Sequence, residues 1–115
     1  ADEKITEDNK VTNNPTFSWC VISATNDDFL KLRKKMASAT DTDRMISEAK
    51  KSFKMMCFNT EQIKNLAYLF LTDQARYQFF DASYPFASDA TNFHSLSIML
   101  SETYYINRFK AMLIN

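Results

Sequence analysis

Glycine is absent from all 115 residues of this chain. That absence excludes whole classes of site. A P-loop, a dinucleotide-binding turn and a nucleophile elbow each need glycine, because the backbone must approach a phosphate or adopt φ > 0. Tight two-residue hairpins lose their best turn residue as well. Both consequences favour helices. Histidine is nearly as scarce, with His94 alone. One imidazole and two cysteines without C-x-x-C spacing do not complete a zinc site. No apolar run approaches the roughly eighteen residues that a membrane-spanning helix needs. Neither sign of charge is in excess, with 14 basic residues against 14 acidic. Nothing global therefore draws the chain to nucleic acid or to an anionic membrane.

What is present suits a globular fold. Hydrophobic residues make up 45% and charged residues 24%, which argues against disorder. The length fits one domain. Two cysteines, Cys20 and Cys57, leave two readings open: buried free thiols, or one disulfide in an oxidising compartment. The chain begins Ala1-Asp2-Glu3, as mature chains do after a leader with a small-residue cleavage site is removed.

Residues 1–26 read as an arm. The first sixteen are polar and close on Asn14-Pro15. Phe17, Trp19 and Val21 then alternate with Ser18 and Cys20, an extended piece with one apolar face expected to lie against the helices. From Asp27 the period becomes helical, and residues 27–115 read as an all-α domain of about six short helices. Phe29, Leu32 and Met36 mark the first helix, with Thr25 or Asn26 as cap. Thr42 is expected to cap the second, whose stripe is Met45, Ile46, Ala49, Phe53 and Met56. Asn59 or Thr60 caps the third, with Ile63, Leu66, Ala67 and Phe70. Thr72 caps the fourth, with Ala75, Phe79 and Ala82, and Pro85 ends it. A fifth α-helix from Ser88 or Asp89 carries Phe93, Leu96, Ser97 and Leu100. A sixth from Ser101 carries Tyr105, Ile106, Phe109, Met112 and Leu113.

Self-comparison suggests three stacked helix-turn-helix units of roughly thirty residues. Thirty residues separate Ile63, Leu66, Ala67 and Phe70 from Phe93, Leu96, Ser97 and Leu100. The same offset relates Thr42-Asp43 to Thr72-Asp73, so a cap matches along with a stripe. One unit cannot bury its own stripe, whereas three can share a continuous core.

The order of short motifs resembles domain-of-unknown-function family 4476, found mainly in secreted bacterial proteins. The residues that carry the resemblance are Cys20, Asp41-Thr42-Asp43-Arg44-Met45, Cys57 followed by Thr60-Glu61-Gln62-Ile63, Leu69-Phe70, Ser83-Tyr84-Pro85, Asp89 with Asn92-Phe93, and the Phe109 to Ile114 stretch. Asp81 stands where that family usually has Lys, and Phe109 and Met112 depart from its closing Leu and aromatic. The resemblance implies a Cys20–Cys57 disulfide and export from the cytoplasm to a secreted, periplasmic or envelope location. It implies no activity.

No catalytic constellation stands out. His94 reads as a surface residue beside Phe93, and Asp27/Asp28 and Asp41/Asp43 sit at helix starts, where capping accounts for them. Asp41-x-Asp43 lacks the Gly and Glu of a calcium loop. The expectation is a chain without enzymatic activity, metal or cofactor. Lys31, Lys34 and Lys35 form one basic strip and Lys50, Lys51 and Lys54 another, both read as solvated faces without nucleic-acid binding. Nine aromatics fall between Tyr77 and Phe109. Tyr77, Phe80 and Tyr104 lie off the apolar stripes, Tyr84 and Phe86 flank Pro85 in a loop, and Arg76 is nearby, which makes these six the candidate partner-binding residues. The expected function is a non-catalytic module that binds a protein or peptide. The second reading is a site for a small apolar or aromatic ligand between units.

Overall fold

Thr25 starts the first helix as its spacing predicts. Its hydroxyl accepts from the Asp28 N–H while the Asp28 carboxylate accepts from the Thr25 N–H, a reciprocal capping box. The computed structural model describes residues 20–114. Phe17 and Trp19 lie outside the described residues. Five α-helices follow one another: α1 (Asn26–Ala37), α2 (Thr42–Phe53), α3 (Thr60–Ala67), α4 (Asp73–Ser83) and α5 (Thr103–Leu113). A 3-10 turn at Tyr84–Phe86 and a 3-10 helix at Ala90–Met99 lie between α4 and α5.

The caps explain most boundaries. Asn59 and Gln62 make a second capping box at α3, and the Thr72 hydroxyl accepts from the Ala75 N–H at α4. At α2 the cap is Asp41, not Thr42; its carboxylate takes the Arg44 N–H at 2.9 Å. The carboxylate outcompetes its neighbour because it is charged and sits at the positive helix end. Without glycine, α1, α2 and α3 end at Ser38, Lys54 and Tyr68 in right-handed backbone, not left-handed caps. Lys34, Lys35, Lys50, Lys51 and Lys64 stand in these last turns, where cations offset the free carbonyls.

The expected fifth α-helix is a 3-10 helix. Ala90–Met99 has a period near three, so Phe93, Leu96 and Met99 form one buried ridge in place of the α-helical set with Ser97. Its N-terminal residue Asp89 gives its side chain no local capping bond. Instead Asp89 Oδ1 accepts from the Thr60 N–H at 2.7 Å and the Thr60 hydroxyl at 2.8 Å. The last helix starts later than expected, with Glu102 as cap and Thr103 as its first residue.

The molecule measures 42 × 31 × 19 Å. The short axis accommodates two helix layers. α4 packs on α2, α3 and α5, while α3 packs on the 3-10 helix Ala90–Met99. Seven phenylalanines fill the middle, Phe53, Phe58, Phe70, Phe79, Phe80, Phe93 and Phe109, all essentially inaccessible. They meet edge-on and stacked; Phe80, for example, meets Phe109 at 5.5 Å and Phe93 at 6.1 Å. Each buried ring removes about 150–250 Å² from water, so this cluster dominates the core.

Cys20 and Cys57 form a disulfide with Cα atoms 6.1 Å apart. Backbone bonds reinforce it: Cys57 N–H donates to Ile22 O at 2.9 Å and Ala24 N–H to Cys57 O at 2.8 Å. On its other side Phe58 exchanges bonds with Phe86 O and Ser88 N–H. The 57–58 segment is thus gripped from both flanks, although the described residues contain only isolated bridges and no named strand. The side chain of Val21, expected to face the helices, is 92% exposed. Backbone pairing and the disulfide hold the described part of this segment, and Ala24 packs against the core.

Candidate functional site

The six candidate residues do not make one patch. Phe80 is fully buried between α4, α5 and the 3-10 helix, which overturns its reading as a surface residue. α4 has helices on more than one side, so adjacent Phe79 and Phe80 both reach the core. Tyr84 is half-buried against the Phe93 ring at 4.9 Å, and Phe86 stacks on Phe53 at 5.3 Å. Both pack against the core and do not present a free face.

Arg76 is a tie between helix ends. Its Nε donates to Phe70 O at 3.1 Å and its Nη1 to Met99 O at 2.9 Å. These carbonyls lie just after α3 and at the end of the 3-10 helix, where carbonyls lack intrahelical partners. One planar guanidinium satisfies both.

Tyr77 and Tyr104 do come together, through a residue the sequence reading passed over. Arg108 projects from α5 with its guanidinium carbon 5.2 Å from the Tyr77 ring centre and 5.7 Å from that of Tyr104. Its Nη1 donates to the Tyr104 hydroxyl at 3.4 Å. Hydrogen bonding with Tyr77, followed by the interactions with Tyr104, pushes the Arg108 pKa up. Tyr105 completes the group, 4.8 Å from Tyr104 and 6.0 Å from Tyr77. Tyr104 itself is 60% exposed. The signal for Arg108 was present: Tyr104 and Arg108 stand four apart on one helix, where side chains meet.

Two open clefts flank this cluster. One of about 450 Å³ lies between α2 and α4 and is lined by Asp43, Ile46, Lys50, Tyr77 and Asp81. The other, of about 430 Å³, lies between α4 and α5 and is lined by Tyr77, Asp81, Arg108, Ala111 and Met112. Tyr77 and Asp81 form the ridge between them. Charges of both signs and apolar side chains therefore alternate across the outer face of α2, α4 and α5.

Among the described residues no group of three or more His, Cys, Asp or Glu side chains could hold a metal ion. Asp28, Asp41, Asp73 and Asp89 each accept backbone N–H bonds. His94 is exposed, with Nδ1 3.0 Å from Thr91 O. No family model, curated protein or solved structure matches this chain.

Proposed function

We propose that this chain is a non-catalytic interaction module that binds an extended protein or peptide segment across α4 and α5. The observation that carries the reading is the Arg108 guanidinium held between the Tyr77 and Tyr104 rings at an exposed surface. Tyrosine and arginine offer large, ordered contact area at low entropic cost, the usual make-up of binding hot spots. The clefts on either side of Tyr77 suit successive side chains of a peptide, with Arg108 free to pair an acidic residue. Their openness favours this reading over an enclosed small apolar ligand.

The wider setting belongs to the same proposal. A disulfide is expected in an oxidising compartment, which supports a secreted, periplasmic or envelope protein, as does the resemblance to family 4476. No described helix is long and apolar enough to cross a membrane. Three copies of one helix pair are supported by ties spanning 29 residues, Thr60 to Asp89 and Asp73 to Glu102. The Asp41 cap of α2, one residue before the position that matches Thr72, and the 3-10 helix depart from that repeat.

The test is selection of peptides from a random displayed library on the intact protein, followed by affinity measurement on Tyr104→Ala and Arg108→Ala. Selected peptides should lose about tenfold or more on each variant. Peptides that bind both variants as tightly as the parent would place the binding surface elsewhere.

A further inference from the structure

Members of the two lysine strips, Lys34 and Lys35 from one and Lys51 from the other, line one cleft. α1 and α2 are joined by a short link and pack against each other, so the last turn of α1 shares a cleft with one face of α2. Lys34 and Lys35 from α1, with Arg44 and Lys51 from α2, line an open cleft of about 860 Å³. Glu48 is the one carboxylate among its lining residues. Lys51, itself exposed, pairs with the half-buried Glu48 at 3.2 Å, and Arg44 reaches Asp41 at 3.5 Å at exposed positions. Lys34 and Lys35 have no carboxylate within 4.0 Å among the described residues.

Helix-end electrostatics accounts for part of this. Cations in the last turn of α1 offset its free carbonyls. That does not account for Arg44 and Lys51 lining the same cleft from a second helix, which sets four cations against the one carboxylate of Glu48 in its lining. A multivalent anion would balance that excess. Exposed ion pairs are weak enough for such an anion to compete for Arg44 and Lys51. The cleft has the size of a small-molecule site. No aromatic side chain lines it, so it offers no stacking platform for nucleic-acid bases.

We propose that the α1–α2 cleft binds an oligophosphate group through Lys34, Lys35, Arg44 and Lys51. Ammonium groups supply point charges, and the guanidinium supplies a paired donor for phosphate oxygens. The site is separate from the Tyr77–Tyr104–Arg108 surface and does not rest on it.

Inorganic tripolyphosphate titrated into the intact protein at low ionic strength tests this, followed by backbone amide NMR and calorimetry. Saturable binding is expected, with shifts confined to residues 34–51 and an affinity that falls with salt. Lys34→Ala/Lys35→Ala should weaken it about tenfold or more, Arg44→Gln from the opposite helix should weaken it as well, and Lys31→Ala/Lys64→Ala should not. Vesicles carrying phosphatidylinositol bisphosphate form a second arm. Capture that requires Lys34 and Lys35 supports the site and assigns it to a headgroup; tripolyphosphate binding without capture supports it and assigns a free phosphate. Shifts spread over all exposed lysines, undiminished binding by the Lys34/Lys35 variant, or binding of neither probe would overturn the proposal.

Discussion

The Asp73 carboxylate accepts the backbone N–H of Glu102 at 2.6 Å, across 29 residues of sequence. It also accepts the Ser101 N–H at 2.8 Å. Asp73 lies in the first turn of α4, yet it caps the start of α5. One acid thus serves two helix N-termini and supplies the side-chain cap that Glu102 does not provide.

Removing that acid should cost far more than removing an exposed one. Hydrogen bonds to a charged group contribute about 1.5–3 kcal/mol each, and Asp73 makes two to backbone donors. Asp73 is only 7% exposed. Asp73→Ala is therefore expected to lower unfolding free energy by about 2–4 kcal/mol in urea titrations. Asp81→Ala, at an exposed position, should change it by less than about 0.5 kcal/mol. Equal effects of the two would show that the cross-helix cap contributes nothing special.

Phe80 and Tyr104 should separate stability from binding. Phe80→Ala opens a cavity among Phe79, Phe93 and Phe109 and should cost about 3–5 kcal/mol. Tyr104→Ala should cost under about 1 kcal/mol, since its ring is largely solvated. Thermal melts of the two variants measure the difference. A Tyr104 variant as unstable as the Phe80 variant would make Tyr104 a packing residue and weaken its proposed binding role.

Breaking the disulfide should loosen one end before the rest. Cys20 and Cys57 are 37 residues apart, a loop whose closure contributes about 4 kcal/mol in the chain-entropy model. Cys20→Ala/Cys57→Ala should lose about that amount in denaturant titrations. The amides of Ala24 and Cys57 should lose exchange protection ahead of the core, because they pair across the bridge. Thiol labelling of the unfolded chain should find two sites after reduction and none before. Labelling without reductant would contradict the bridge.

Acid should release the Asp28 cap of α1 only below the ordinary aspartate range. The Thr25 N–H holds the Asp28 carboxyl below its ordinary value, the Thr25 side chain helps, and Lys31 adds to the effect. A carboxyl with a lowered pKa in the folded chain stabilises the fold above its unfolded pKa. That contribution is lost as pH falls through the folded value. The Thr25 and Asp28 amides should therefore shift and exchange faster below about pH 4. Asp28→Asn should abolish this transition in an NMR pH titration while leaving the Asn59–Gln62 capping box of α3 unchanged.

Local chemistry was legible where cause and effect are neighbours. Thr25, Asn59 and Thr72 cap their helices because each side chain reaches a backbone N–H three residues on. The stripes through Leu32, Ile46, Phe53, Ile63, Leu66 and Phe109 are buried as their spacing requires. The candidate site was half legible. Tyr77 and Tyr104 were found as aromatics off the stripe, but Arg108 was passed over, and only packing α4 beside α5 sets it between the two rings.

Composition and period alone determined that this chain is helical, glycine-free at its helix ends and built around phenylalanine. Tertiary structure decided the rest: that Asp89 reaches across to Thr60, that Ala90–Met99 winds as a 3-10 helix, that Arg76 joins two helix ends and that Phe80 lies inside. The physical reason is common to all four. Each depends on a partner brought near by packing, from another helix or from many residues away, and a periodicity within one segment carries no record of what will cover its second face.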